Sequence, residues 1–430
     1  MKRRSFLATA ASASAAVTAS GVSLAPAVAA EQHAAKKPSS VPSTGARVPA
    51  LAGFDQFMSD FLTRFNIPGG QLAVAKDGHQ VYSRGFGHVD RKVANQSPPP
   101  PVEPTAIFRL ASSSKSLTAV AVMALVQAGQ LTLNQSAFEI LHDLTPPPGK
   151  HVDPRVKSIT VRQLLEHSGG LVDKPFDVQF DGLRLAADAF KHPRPATNVD
   201  LIRYQLGRPL GFEPGTSYAY SNVGYNALGR IIERITKKPY GEAVKELVLV
   251  PLQIHGMAVM TRTSPSSRLP NEVFYDDGLP DVTSYSIYED DLEVRRYAYG
   301  GYDGSAIDAH GGWIAGAPDL VRFLNGVGGK TGKQILAPET VQTMLARPNN
   351  PFWHGKDKYY ALGWNVVPGK VTMTHNGAIT YATCSMIARL TGDVTVAACF
   401  NHLDPDLGAM LGGLGDGIMA AANAVARWPG

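Results

Sequence analysis

Apolar residues recur at every third or fourth position near the start of the chain. They are Phe54, Phe57, Met58, Phe61, Leu62 and Phe65. This spacing predicts a helix with one buried face. The segment GQLAVAKDGHQVYSRGFGHVD follows, and its two strand-like runs around Asp77-Gly78 predict a β-hairpin.

The middle of the chain has mainly helical patterns. Length and apolar spacing predict helices over 114–130, 161–167 and 226–238. Residues 172–215 and 262–310 are rich in Pro, Gly and Asp and show few periodic patterns. We interpret these two segments as long functional loops that line a cleft.

The C-terminal part returns to strands, in the segments YALGWNVV, KVTMTHNG, YATCSMIARL and DVTVAACFN, and ends in a helix over 406–427. Because strands open and close the chain, we predict an α+β fold. Its antiparallel sheet is built from both chain ends and flanked by terminal helices, with a mainly helical lobe inserted. We place the domain at 51–430, the sheet at roughly 51–110 and 350–430, and the lobe at roughly 111–349.

The two cysteines of the chain, Cys384 and Cys399, flank the last predicted hairpin. If Thr391-Gly392 is its two-residue turn, the two side chains face each other across the strands. A disulfide is geometrically possible at such a pair. The alternative is two small buried apolar side chains, and the sequence leaves both open.

Composition narrows the class of protein. The chain has 430 residues, of which 44% are hydrophobic and 18% charged, as in an ordinary globular protein. Its net charge of +5 includes Lys2, Arg3 and Arg4, which leaves +2 for the rest. Basic residues form no stripe, so we expect no nucleic-acid partner. No run of about 18 apolar residues predicts a membrane span in the mature chain.

The first thirty residues are typical of an export signal. KRRSFL carries a twin-arginine pattern, an Ala- and Ser-rich stretch follows, and APAVAA is a small-residue cleavage site. We therefore predict a twin-arginine-type signal peptide over 1–30 and a periplasmic or secreted protein. Residues 31–50 are polar and contain proline, which predicts a flexible tail.

Three short motifs carry candidate chemistry. Ser112 and Lys115 form the only S-x-x-K of the chain, at the start of a predicted helix, where a spacing of three places both side chains on one face. A lysine with a lowered pKa can take the proton of a serine nucleophile. Tyr220-Ser221-Asn222 offers a phenol for proton transfer and an amide for substrate binding. His375-Asn376-Gly377 ends a predicted strand, where glycine allows close approach.

The order and spacing of these motifs resemble the serine β-lactamase and penicillin-binding protein family. The branch that holds class C β-lactamases, D-alanyl-D-alanine carboxypeptidases and related esterases is the most similar. Flanking segments add to the resemblance, which covers residues 52–427: FRLASSSKSLTAVAVMALVQAGQLTL, VRQLLEHSGGL, FEPGTSYAYSNVGYNALGRIIE, HGGWIAGAPDLVRFL and YALGWNV.

The resemblance implies a role for each motif residue. Ser112 is the nucleophile, and Tyr220, supported by Lys115, takes its proton and passes it to the leaving group. Asn222 binds the substrate amide, and His375 occupies the position of the family's third-motif lysine.

The same resemblance implies an oxyanion hole made by the backbone N–H groups of Ser112 and Ala378, with Asn376 and Gly377 beside it. It implies no metal and no other cofactor. His167, in LLEHSGG, matches a family segment with a structural role.

Two residues depart from the family pattern. Asn376 and Ala378 stand where members that bind a substrate carboxylate often have Thr or Ser. Histidine also carries less charge than lysine at neutral pH. Both differences weaken the case for a strong β-lactamase and for a peptidase that recognises a free C-terminal carboxylate.

We therefore expect an exported, monomeric serine hydrolase that acts through an acyl-enzyme on Ser112, with a D-alanyl-D-alanine carboxypeptidase, D-amino-acid peptidase-like or esterase activity. Its substrate would be a small peptide, amide, ester or β-lactam. Peptidoglycan-derived D-amino-acid peptides are the leading natural class of substrate. A β-lactamase and a non-catalytic binding or sensing domain are the alternatives. The chain contains no G-x-S-x-G, which argues against an α/β-type hydrolase.

Overall fold

Strands come from the two ends of the chain and helices mainly from its middle. The computed structural model describes residues 41–91, 96–180, 182–275, 283–291, 293–380 and 382–429. The strands in these residues are β1 (Ser43–Thr44), β2 (Gly69–Lys76), β3 (His79–Gly87), β4 (Phe108–Arg109), β5 (Ala258–Val259), β6 (Thr283–Tyr285), β7 (Val294–Arg296), β8 (Trp313–Ala315), β9 (Tyr359–Tyr360), β10 (Asn365–Val367), β11 (Val371–Ile379), β12 (Thr383–Leu390) and β13 (Val394–Phe400). The α-helices are α1 (Ala52–Arg64), α2 (Ser114–Gln127), α3 (Ala137–Ile140), α4 (Val161–Leu165), α5 (Leu183–Phe190), α6 (Asn198–Leu206), α7 (Asn222–Thr236), α8 (Tyr240–Val244), α9 (Asp308–Gly311), α10 (Ala317–Asn325), α11 (Pro338–Leu345) and α12 (Leu407–Asn423).

The main sheet has eight antiparallel strands in the order β1-β3-β2-β13-β12-β11-β10-β9. The N-terminal strands β1, β2 and β3 join the C-terminal ones where β2 pairs with β13. This confirms the predicted α+β class with an antiparallel sheet built from both chain ends. The Asp77-Gly78 turn is also as predicted, because Lys76 pairs with His79 and both turn residues have positive φ.

Both faces of the sheet are covered. On one face, α1 and α12 pack through Phe54, Met58, Met410 and Leu414. On the other face lie the helical lobe and α10. Strands buried on both faces have nearly continuous apolar residues rather than an alternating pattern, and β12 and β13 are buried throughout.

The two segments interpreted as loops are partly regular. The first, 172–215, contains α5 and α6, and the capping box of Thr197 begins α6. The described parts of 262–310 contain the short β6–β7 hairpin and α9. The longest of these elements has nine residues, and the proline and glycine residues around them obscure their periodic patterns in the sequence.

A buried ion pair anchors the second segment next to the strand that leads to Ser112. Nε of Arg109 lies 3.2 Å from Oε1 of Glu272, and Arg109 also donates to the hydroxyl of Tyr302 at 2.9 Å. Arg109 and Glu272 are both buried, so neither charge is solvated. The segment is therefore attached to β4, three residues before Ser112.

The predicted N-terminal tail, 31–50, is described by the structure only from residue 41 onward. Residues 1–40, which include the predicted signal peptide, lie outside the described residues. From residue 41 onward the chain is part of the fold, since Ser43 pairs with Phe86 and Thr44 with Gly85. Within the described ranges, no helix has both the length and the hydropathy needed to cross a membrane.

The prediction that Cys384 and Cys399 lie opposite each other on paired strands is wrong by one residue. Cys384 pairs with Phe400, and Cys399 pairs with Ser385, because three residues rather than two connect Leu390 to Val394. Gly392 and Asp393 both have positive φ in this loop. A shift of one residue moves a side chain to the other face of a sheet. Cys384 therefore packs against α1 and α12, and Cys399 packs against the lobe.

We predict that both thiols are free in the folded protein, because the sheet lies between them. Unfolding in denaturant without reductant should release both thiols for alkylation, measured by mass. Reductant should leave the melting temperature unchanged. Alkylation that requires prior reduction would contradict this register.

Candidate active site

Ser112 lies in a tight turn at the entrance to a buried helix. The 3₁₀ turn Ala111–Ser113 leads directly into α2. Ala111 has a φ of +49°, a left-handed conformation that is uncommon for a residue with a side chain. Ser112 keeps partial exposure, whereas nearly all of α2 is buried. The turn therefore presents one hydroxyl at the positive end of a helix, where unpaired N–H groups remain.

Lys115 lies one turn further along and is fully buried. Its Nζ donates to three oxygens: Ser112 Oγ at 3.2 Å, Asn222 Oδ1 at 2.7 Å and the His310 carbonyl at 3.0 Å. The ammonium also lies 4.6 Å from the centre of the Tyr220 ring. The structure thus joins the first two sequence motifs through one amine.

The electrostatic environment shifts the protonation of Lys115. Burial lowers the pKa of Lys115 to about 7, because a charged amine loses its hydration there. The carboxyl groups of Asp177 and Asp173 oppose this shift. Near neutral pH a substantial fraction of the amine is therefore unprotonated and able to accept a proton.

Tyr220 completes the group around Ser112. Burial raises the pKa of Tyr220 well above its usual value, and the nearby hydroxyl of Ser112 opposes this shift. The ring of His167 packs against the ring of Tyr220, with ring centres 4.3 Å apart. Nδ1 of His167 accepts a hydrogen bond from the Ser221 N–H at 3.1 Å. Burial holds the pKa of His167 well below its ordinary value, so the ring is neutral. This environment fits the structural role expected for His167.

Asn222 begins α7 and lies between the amine of Lys115 and the carboxyl groups of Asp173 and Asp177. Its Oδ1 accepts from Lys115, and its Nδ2 donates to Oδ2 of Asp177 at 2.6 Å. The backbone N–H of Asn222 donates to Oδ2 of Asp173 at 3.3 Å. Ser221 caps the helix by accepting from the Gly224 N–H. Asn222 is therefore held at both ends of its amide.

His375 is buried on β11, and both of its ring nitrogens have partners. Nδ1 lies 2.7 Å from the Asn376 carbonyl, which only accepts, and Nε2 lies 3.0 Å from the hydroxyl of Tyr360. A neutral ring that donates from Nδ1 and accepts at Nε2 satisfies both contacts. Burial and the charge of Lys115 lower the pKa of His375 to about 3. His375 is thus a neutral side chain and supplies no positive charge to the cleft.

Strand β11 lies directly against the segment that carries Ser112. A Cβ placed on Gly377 would be 1.9 Å from the Leu110 carbonyl oxygen, so only glycine fits there. The hydroxyl of Ser385 donates to the same carbonyl at 2.7 Å and lies 2.8 Å from Oγ of Ser113. These contacts fix the distance between β11 and the start of α2.

The remaining third-motif residues are oriented by the strand. Asn376 pairs with Met386 and Ala378 with Cys384, on the sheet face that α1 and α12 cover. His375 and Gly377 are on the opposite face, next to Ser113. Only the backbone of Ala378 can therefore face the cleft, and its N–H remains a predicted oxyanion donor.

Sequence reasoning missed Asp173, Asp177 and Tyr360. The two carboxyl groups lie in VDKPFD, inside the segment already interpreted as a functional loop, and a pair of acids four residues apart was the available signal. Tyr360 lies in YALGWNV, a segment noted only for its resemblance to the family. Within the described ranges, no group of three or more His, Cys, Asp or Glu side chains could hold a metal ion.

Known proteins share this fold and sequence pattern. The family model described as Beta-lactamase matches residues 54–412. A protein of Escherichia coli O157:H7 named "Putative D-alanyl-D-alanine carboxypeptidase" is 26% identical over 400 residues, which cover 88% of this chain and 87% of that protein. "Protein flp" of Staphylococcus aureus strain MW2 is 29% identical over 202 residues, and the match spans only 36% of its length.

A solved structure shares the overall fold. The D-amino acid amidase from Ochrobactrum anthropi SV3 in complex with D-phenylalanine aligns with a TM-score of 0.66. The alignment covers 88% of this chain and 99% of the amidase at 19% sequence identity. The likeness supports the same arrangement of sheet and helical lobe.

We predict that Gly377→Ala destabilises the protein and disrupts the site, since the added methyl group meets the Leu110 carbonyl. Overpacking of this kind costs about 1–3 kcal/mol or more in unfolding free energy, measured by denaturant titration. Gly415→Ala is the matched control, because it lies in α12 with open space around its Cβ position. A Gly377→Ala variant as stable as the control would contradict this packing.

Proposed function

This chain belongs to the beta-lactamase family, whose members are serine hydrolases, and we propose that it cleaves amides or esters of small D-amino-acid compounds through an acyl-enzyme on Ser112. The observation that carries the proposal is the contact of Lys115 Nζ with Ser112 Oγ at 3.2 Å, inside an otherwise buried polar network. The intact network argues against a non-catalytic binding domain, which would not need a buried amine beside a partly exposed hydroxyl.

The proposed reaction uses the two partners of Ser112 in sequence. Neutral Lys115 accepts the proton as Oγ of Ser112 forms a bond to the substrate carbonyl carbon. The tetrahedral intermediate then expels its amine or alcohol, which takes a proton from the hydroxyl of Tyr220, while the Lys115 ammonium returns its proton to Tyr220 and becomes neutral again. Water hydrolyses the resulting ester of Ser112 and regenerates the serine.

The electrostatics divide these roles differently from the expectation drawn from the sequence. That expectation made Tyr220 the first proton acceptor, supported by Lys115. The raised pKa of Tyr220 keeps its proton in place, and the lowered pKa of Lys115 makes the amine the available base. Tyr220, close enough to Ser112 to be influenced by its hydroxyl, is then a relay toward the leaving group.

Substrate choice follows from what the third motif lacks. His375 is neutral, and the side chains of Asn376 and Ala378 are on the other face of the strand. A free carboxylate on the leaving-group side would find no cation among these residues. An amide or ester at that position is uncharged, and this favours amidase or esterase chemistry over a carboxypeptidase or a strong β-lactamase.

The D-amino-acid class is supported by the relatives rather than by the geometry. The relative from Escherichia coli is named "Putative D-alanyl-D-alanine carboxypeptidase", and the structural neighbour from Ochrobactrum anthropi is a D-amino acid amidase. We also propose export by the twin-arginine route, based on the pattern KRRSFL and the site APAVAA.

We predict that a fluorophosphonate probe labels the protein and that Ser112→Ala abolishes labelling, a loss of at least roughly 10³-fold in rate. Labelling is read by gel fluorescence and the site by peptide mass. Ser59→Ala, on α1 away from the site, should label like the wild type. Labelling that survives Ser112→Ala would refute the nucleophile, and no labelling of the wild type would favour a binding domain. A fluorescent penicillin, used in parallel, tests the β-lactamase alternative. That alternative requires rapid hydrolysis of the penicillin by the protein.

A matched pair of substrates tests the proposed preference. We predict that acetyl-D-alanyl-D-alanine amide is cleaved with a kcat/KM roughly tenfold or more above that of the free acid. The reason is that an unpaired buried carboxylate costs about 1–3 kcal/mol or more. Equal turnover of the two compounds would contradict the preference for an uncharged leaving group.

A further inference from the structure

Asp177 is a buried carboxyl group next to the site, and none of the three sequence motifs includes it. It lies between α4 and α5, is 1% exposed, and its Oδ1 accepts from the backbone N–H of Gln179 at 2.9 Å. Its other oxygen, Oδ2, takes the Nδ2 hydrogen of Asn222 at 2.6 Å. Burial of a carboxyl group costs free energy, so the buried position of Asp177 requires an explanation.

The orientation of the Asn222 amide follows from this contact. A carboxylate can only accept hydrogen bonds, so the NH₂ end of Asn222 must face Asp177. The oxygen end then faces Nζ of Lys115, whose N–H donates to it at 2.7 Å. Without the carboxylate, nothing in these two contacts would prevent the amide from turning its NH₂ group toward the amine.

The same short segment also holds the third acceptor of Lys115. Oε1 of Gln179 lies 2.9 Å from Nε2 of His310, and the carbonyl of His310 accepts from Lys115 at 3.0 Å. A closed circuit of contacts thus runs from Lys115 through Asn222, Asp177 and Gln179 to His310. Two of the three oxygens around the amine are placed by residues 177–179.

We propose that Asp177 is a positioning residue, which acts through Asn222 to aim the amine of Lys115 at Ser112. The proposal rests on the proposed function, because the amine matters only if Ser112 is the nucleophile. Asp177 has two effects. Its hydrogen bond fixes the geometry of the amide, and its negative charge favours the protonated form of Lys115.

The titratable groups that face Lys115 come from five parts of the fold. They are Asp173 and Asp177 on the segment before α5, His167 after α4, Tyr220 and Tyr225 at α7, His310 on α9 and His375 on β11. Burial lowers the pKa of all three histidines, to about 3 for His375 and well below the ordinary value for the other two. Burial and the charge of Asp177 raise the pKa of Asp173 well above its ordinary value. A change of rate near neutral pH is therefore assigned to Lys115 together with this neighbouring carboxyl group, and the charge of Asp177 raises the pKa of both.

The test measures the rate of fluorophosphonate labelling of Ser112 between pH 5 and pH 9. We expect Asp177→Asn to lower the rate by roughly ten- to a hundredfold, the effect of losing a hydrogen bond to a charged group. Removal of a negative charge disfavours protonated Lys115, so the midpoint of the pH profile should move to lower pH. A purely structural effect would reduce the rate and leave the midpoint in place, and that result would overturn the proposal.

Two further variants complete the experiment. Asp200→Asn removes another buried carboxyl group, which caps α6 and does not contribute to the shift of Lys115, so its midpoint should equal that of the wild type. Asp177→Glu keeps the charge at a different length. We expect Asp177→Glu to be labelled more slowly than the wild type, with a midpoint close to that of the wild type. This variant also tests the proposal if Asp177→Asn does not fold. An unchanged rate in Asp177→Glu would count against positioning.

Different results would refute the proposed function and the role of Asp177. A wild-type protein that the probe does not label at Ser112 would overturn the proposed function itself. A labelled wild type with an unmoved midpoint in Asp177→Asn would overturn only the role of Asp177.

Discussion

The buried amine of Lys115 is the constraint on which the arrangement of the site depends. It has no exposed surface, and an amine in a protein interior is stable only where acceptors surround it. Those acceptors come from three separate places: the turn before α2, the start of α7 and α9. The helices of the lobe must pack together to satisfy Lys115, and the same packing assembles the site.

The sheet contributes a second constraint, the close approach of β11 to the nucleophile turn. Gly377 lies against the Leu110 carbonyl, and Ser385 binds the same oxygen. The ion pair of Arg109 with Glu272 fixes the other side of this connection. Ser112 is thus held between lobe and sheet, at the point where parts of the chain that are distant in sequence meet.

Charge in the cleft is distributed unevenly. Three histidines surround Lys115, and burial keeps all three neutral, so the amine is the titrating cation of this group. The carboxyl groups of Asp173 and Asp177 lie on the side of Asn222, and burial together with the charge of Asp177 raises the pKa of Asp173 well above its ordinary value. Positive charge is therefore concentrated at the nucleophile, where a proton is to be moved, and is missing at the third motif.

The sequence by itself determined the chemistry-bearing motifs, the main helices and the sheet shared by both chain ends. These depend on spacing and periodicity, which are local properties: Ser112 and Lys115 share a helix face because they are three residues apart. Tertiary structure decided the rest. One extra residue in the loop after Leu390 separated Cys384 from Cys399, and burial made His375 neutral and lowered the pKa of Lys115. Asp177 could not be assigned from its neighbours in sequence, because its partner Asn222 is 45 residues away and only folding brings the two together.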